Sequence, residues 1–217
     1  MTGVVTVPAA LFRVARARWD IDWRGQSAGD ATDGGEQIVF SAFPRWRGSL
    51  DLRLSHDLAR QWRAIRAAAR GRVRVWRLPL VDLHAPPCAA PGGVPFSNEQ
   101  PFSTGQGFAY RPFATMAAPA AAGAVEILID EVSAEVAVGG YISHDDWPYI
   151  VVERAEVSGG VRLTLEMPLR RAIPDGAELD LYAHGLFRAT SDDMGAVDTA
   201  LGAGATVTVD VVEWLAR

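Results

Sequence analysis

The chain has 217 residues, 49% of them hydrophobic and 22% charged, with a formal net charge of −5. This is enough for one good core or two small ones, and no apolar run approaches the roughly 18 residues of a membrane-spanning helix. A single cysteine, Cys88, excludes an internal disulfide and a four-cysteine zinc site.

In chain order, Met1 to Trp19 lacks a basic start followed by a long apolar core, so no secretory signal is expected. Phe12 to Trp23 alternates and predicts a strand with one charged face. Gly25 to Gly35 is polar and contains glycines, which predicts a loop, and Glu36 to Phe43 predicts a second strand before Pro44.

The stretch Arg45 to Leu78 predicts strand, helix, strand. Trp46, Gly48, Leu50, Leu52 and Leu54 alternate with Arg47, Ser49, Asp51 and Arg53. Ser55 stands where a helix cap is wanted, and Leu58, Trp62, Ile65 and Ala69 then share one helical face. Arg60, Arg63, Arg66 and Arg70 occupy the rest, Gly71 suits a left-handed helix end, and Arg72 to Leu78 predicts another strand.

Residues 79–113 carry seven prolines and the repeated VPFS and QPFS, which predicts a long loop. Its aromatic residues, Phe96 and Phe102 among them, suit a surface that meets a neighbouring subunit. Residues 114–183 predict an inserted β module, a small barrel or sandwich of five strands. These lie near Ala124–Ile129, Tyr141–Ser143, Tyr149–Glu156 and Val161–Glu166, with the last following the Pro174-Asp175-Gly176 turn. GLFRATSDDMG and ATVTVDVVEWL predict strands that return to the first domain. In the latter, Val207, Val209 and Val211 alternate with Thr206, Thr208, Asp210 and Val212.

No stretch carries a recognisable catalytic pattern: there is no GxGxxG after a strand, P-loop, GxSxG or HExxH. His144, Asp145 and Asp146 form the most metal-like cluster, but adjacent strand residues point to opposite faces. Ser191-Asp192-Asp193 suits a turn as well as a carboxylate pair, and Cys88, His56, His84 and His184 have no readable partner. The expectation is no catalytic residue, no metal and no cofactor. Ten arginines lie between Arg45 and Arg77, with Trp46, Trp62 and Trp76 among them, a pattern that nucleic acid would favour. The acidic total and the lack of a nucleic-acid module weigh against sequence-specific binding.

All 21 basic residues are arginine. Residues 1–77 hold 14 arginines and 7 acidic residues, whereas residues 78–217 hold 7 and 19. Halves of opposite sign suit self-assembly, and equally suit two solvated faces.

The order of these features resembles a family of distal tail proteins of siphophages and prophages of proteobacteria. The matching pieces are GGEQIVFSAFPRWRGSLDL, QWRAIRAAARGRVRVWRLPLVD, GVPFSNEQPFS, AAPAAAGAVEILID, VRLTLEMPLRRAIPDGAELDL and the terminal FRATSDDMG and VTVDVVEW. Together they cover nearly the whole chain. The resemblance implies a non-enzymatic virion component at the tail tip or baseplate, made in the bacterial cytoplasm. It implies a mainly β fold with one packed helix (α+β). A tail-tube-like β-sandwich domain, 1–113 with 184–217, would be interrupted by the β module at 114–183. The implied partners are further copies in a ring, hexameric in similar distal tail proteins, together with the tail tube protein, the hub, the tape-measure protein and other tip proteins. Membrane insertion is not expected.

The residues then offer two kinds of contact. Arg60, Arg63, Arg66, Phe96 and Phe102 are candidate assembly contacts. Alternatively, Tyr141, Trp147 and Tyr149 on the β module are candidates for stacking on host-surface carbohydrate.

Overall fold

The computed structural model describes residues 3–8, 11–12, 14–30, 36–39, 44–82, 100, 103, 111–200 and 204–217. The fold is mainly β with a single α helix among these residues. The N-terminal part forms β1 (Val4–Thr6), β2 (Val14–Asp22), β3 (Gln26–Asp30), β4 (Glu36–Val39), β5 (Arg45–Leu54), the helix α1 (His56–Ala69) and β6 (Val75–Pro79). The middle forms β7 (Phe113–Met116), β8 (Glu126–Glu131), β9 (Tyr141–His144), β10 (Trp147–Val157), β11 (Gly160–Leu165) and β12 (Glu178–Asp180). Then come β13 (His184–Ala189), β14 (Asp198–Ala200) and β15 (Gly204–Glu213).

The chain divides into two compact units, Met1–Leu78 with Leu186–Arg217, and Pro79–Gly185. The division begins the second unit at Pro79, whereas the sequence places that boundary at 114. Main-chain bonds account for the early start, since Leu80 N–H donates to Ala183 O (2.9 Å) and Leu181 N–H to Pro112 O (3.1 Å).

The first unit is built on a sheet of order β1-β6-β13-β15-β5-β2, with β14 paired to β15. β5 is flanked along its length by β15 and β2, both antiparallel. Its alternation buries Trp46, Gly48, Leu50, Leu52 and Leu54, and β15 buries Val207, Val209 and Val211. α1 buries Ala59, Trp62 and Ala69, while Leu58 and Ile65 of the expected stripe are half-buried. Trp62 stacks on Trp76 with ring centroids 5.7 Å apart. Gly48 leaves room for the Trp19 ring, which lies where a Cβ would stand and reaches to 5.1 Å from Phe187. The buried carboxylate of Glu213 accepts the Trp46 N–H at 3.1 Å and has Arg217 beside it at 3.9 Å.

Two local expectations are corrected and one is extended. Ser55 is the N-cap residue, with extended backbone, but its hydroxyl makes no cap hydrogen bond. Gly71 has the left-handed φ expected of it (61°), and Arg70 before it, the C-cap residue, is left-handed as well (φ 54°, ψ 53°). Part of the predicted loop 25–35 is strand, because β3 pairs with β4 in a two-stranded sheet.

The second unit contains a closed barrel, β10-β11-β8-β7-β12-β9, with every pair antiparallel. The sequence predicts five strands here. The sixth, β7, lies at the start of the module and completes the barrel by pairing with both β8 and β12. Ile127, Ile129, Ile142, Tyr149, Val151, Leu163, Leu165 and Leu179 are buried. The buried hydroxyl of Ser143 accepts the His184 N–H at 3.0 Å. Arg154 bonds both Glu131 oxygens (3.3 and 3.0 Å). Burial pushes the Glu131 carboxyl up, but Arg154 and the Val136 N–H outweigh it and leave the group below the usual carboxylate range.

Candidate assembly surface

α1 is amphipathic by arithmetic: residues three, four and seven apart return to one face, and here that face is apolar. Trp62 and its small neighbours settle it on the sheet, so the arginines must lie on the remaining surface. Arg60 and Arg63 are exposed, and among the described residues Arg60 makes a long ion pair with Asp57 (3.9 Å) one turn back. A pair this open to solvent contributes little to stability.

Arg66 differs from them. Its Nε donates to the carbonyl of Met194 at 2.9 Å and its Nη2 to the carbonyl of Asp192 at 3.3 Å. It therefore ties α1 to the segment between β13 and β14 of its own unit. The candidate row of Arg60, Arg63 and Arg66 separates into two exposed cations and one internal clasp. The spacing of the arginines carries no signal of that difference.

The same segment takes up Ser191-Asp192-Asp193. Asp192 accepts from Arg72 in a fork, Nε to Oδ1 at 3.1 Å and Nη2 to Oδ2 at 3.2 Å, and also accepts the Arg72 N–H at 3.1 Å. The Arg72 guanidinium holds the Asp192 carboxyl below its ordinary value, and Ser191 does the same for Asp193. Asp192 thereby braces the turn after α1.

His144 and Asp145 are 3.7 Å apart, and the His144 Nδ1 lies 3.0 Å from the carbonyl of Glu178. Asp145 and Asp146 form the two-residue turn between β9 and β10, both left-handed (φ 50° and 60°). This is a hairpin turn of the kind aspartate tolerates. Among the described residues, no group of three His, Cys, Asp or Glu side chains is placed to hold a metal ion.

Two of the three carbohydrate candidates turn inward. Trp147 is 6% exposed and Tyr149 2%, and the Tyr149 hydroxyl accepts the Arg170 N–H at 3.0 Å inside the unit. Only Tyr141 is half-exposed. Aromatics on a barrel strand serve core and surface equally well, and these two serve the core. Likewise Trp46, Trp62 and Trp76 are buried, so the three tryptophans of the arginine-rich stretch offer no stacking surface.

Phe96, Phe102, His84 and Cys88 lie outside the described residues. No helix among the described residues is long and apolar enough to cross a membrane. No protein-family model matches the chain, and no curated protein matches it.

Proposed function

We propose that the chain is a structural component of a phage or phage-derived tail tip, a distal tail ring protein that joins the tail tube to the hub. The support from sequence is the order of motifs over nearly the whole chain. The observation that carries the reading in three dimensions is the division of charge. The unit Met1–Leu78 with Leu186–Arg217 holds 16 arginines against 12 acidic residues, a balance of +4. Pro79–Gly185 holds 5 against 14, a balance of −9, and the two return the total of −5. A protein that carries both signs on separate units is suited to stack on copies of itself and on neighbours of either sign.

In this reading the first unit is the tail-tube-like sandwich domain and the barrel is its inserted module. Arg60 and Arg63, which the fold leaves exposed, supply contacts to an acidic surface of a neighbour. The role is scaffolding, without catalysis. Negative-stain imaging of the purified protein, alone and with the products of adjacent genes, tests it. Rings, or a stack on a tube or hub protein, are the expected outcome. A protein that stays monomeric with every neighbouring gene product overturns it.

A further inference from the structure

A second set of arginines lies away from the outer face of α1, around a cavity of about 540 Å³ in the first unit. Arg45, Arg47, Arg72 and Arg188 line it, with Val212 between. The sheet register explains the gathering. Arg47 of β5 stands opposite Val212 of β15, and Val212 stands opposite Arg188 of β13. Directly opposed residues of neighbouring strands share a face, and Arg45 joins them two residues along β5. Arg72 enters from the segment after α1.

Two carboxylates of the chain already serve these arginines. Asp22 lies 2.6 Å from Arg47 and 3.5 Å from Arg45, and Asp192 is forked by Arg72. Arg188 has no carboxylate partner among the described residues; its guanidinium sits 5.9 Å from the centre of the Trp214 ring. The Arg45 Nε is buried and, among the described residues, has no closer partner than Asp22 at 3.5 Å. Asp20, opposite Arg47, and Asp210, bonded to Ser49, also lie on this sheet face, so the formal charges balance and Arg188 is the one of the four arginines without a carboxylate among the described residues.

We propose that this cavity binds a carboxylate-bearing segment of a protein partner, an acidic peptide whose side chains enter between Arg47 and Arg188. Three observations select carboxylate. Arg72 already holds a carboxylate in forked geometry, the arrangement in which guanidinium binds it best, and Arg45 and Arg47 converge on one oxygen of another. The site is a single small concavity, whereas a nucleic-acid backbone needs a basic track. Its lining has no aromatic residue on which a base stacks. The site stands on these contacts alone and does not depend on the tail-tip reading.

The test uses the full chain and a labelled oligo-aspartate peptide, with the oligo-asparagine counterpart and a labelled oligothymidylate as comparisons. Fluorescence anisotropy reads binding to the parent, to the double variant Arg47→Gln with Arg188→Gln, and to Arg188→Gln alone. The expected result is that only oligo-aspartate binds well, weakening with salt, and that the double variant loses about tenfold or more in affinity. Melting curves accompany each variant. Arg47 bonds Asp22, so a destabilised double variant passes the decision to Arg188→Gln, which breaks no ion pair among the described residues and should weaken the same binding. Failure of the parent to bind oligo-aspartate, tighter binding of oligothymidylate, or undiminished binding by Arg188→Gln overturns the proposal.

Discussion

Trp62 donates its indole N–H to the carbonyl of Gly195 across 2.8 Å, a buried bond between residues 133 positions apart. Gly195 adopts φ 70° and lies so close that a Cβ there would stand 2.9 Å from the Trp62 ring. The bond and the fit lock α1 to the segment between β13 and β14. Trp62→Ala should destabilise the fold by about 3–5 kcal/mol, the range for removing a fully buried large aromatic. Trp62→Phe keeps most of the burial but strands the carbonyl, so about 1–3 kcal/mol is expected. Urea unfolding of the three proteins checks both. A Trp62→Ala protein as stable as the parent would show that α1 does not depend on this anchor.

Gly48 and Trp19 make a second close fit. A side chain at 48 would displace the Trp19 ring and disturb the pairing of β2 with β5. Gly48→Ala should cost about 1–3 kcal/mol, as overpacking does. Adding Trp19→Leu should recover part of that loss, a positive coupling readable in a double-mutant cycle. Strict additivity would place the Trp19 ring elsewhere.

The arginines of α1 should separate by role. Arg60→Gln with Arg63→Gln should leave the melting temperature nearly unchanged, since both are exposed. The same pair should weaken assembly, as added salt does to the parent, in light scattering across a salt series. Arg66→Gln should instead destabilise the monomer by about 1–2 kcal/mol, through loss of bonds from a charged donor to two carbonyls. Equal behaviour of all three positions in both measurements would contradict this assignment.

Acid should loosen the same region. The Arg72 guanidinium holds the Asp192 carboxyl below its unfolded value. Its contribution is therefore complete above the usual carboxylate range, near pH 4, and is lost as pH falls through the lower folded value. Asp192→Asn should melt below the parent at neutral pH, and the gap should close on acidification. Melting temperatures from neutral to strongly acidic pH test the sign. A gap that widens toward acid would reverse it.

Period-two and helical patterns in the sequence determined the most regular parts of this protein. The alternation of β5 and β15 and the apolar stripe of α1 were legible because a local period states which residues share a face. The β character of residues 114–183 was legible from turns and branched residues. Tertiary structure alone decided which strands meet. β5 and β6 flank α1 in the chain, yet β13 and β15 lie between them in the sheet, because C-terminal strands insert there. Closure of the barrel by β7 is likewise a pairing of distant segments, for which no local period exists. Tertiary structure also decided which faces are spent: Trp147 and Tyr149 turn into a core, and Arg66 binds carbonyls more than a hundred residues away. Residue type and spacing set what a side chain can do. Whether it is free to do so depends on neighbours that only the folded chain brings into reach.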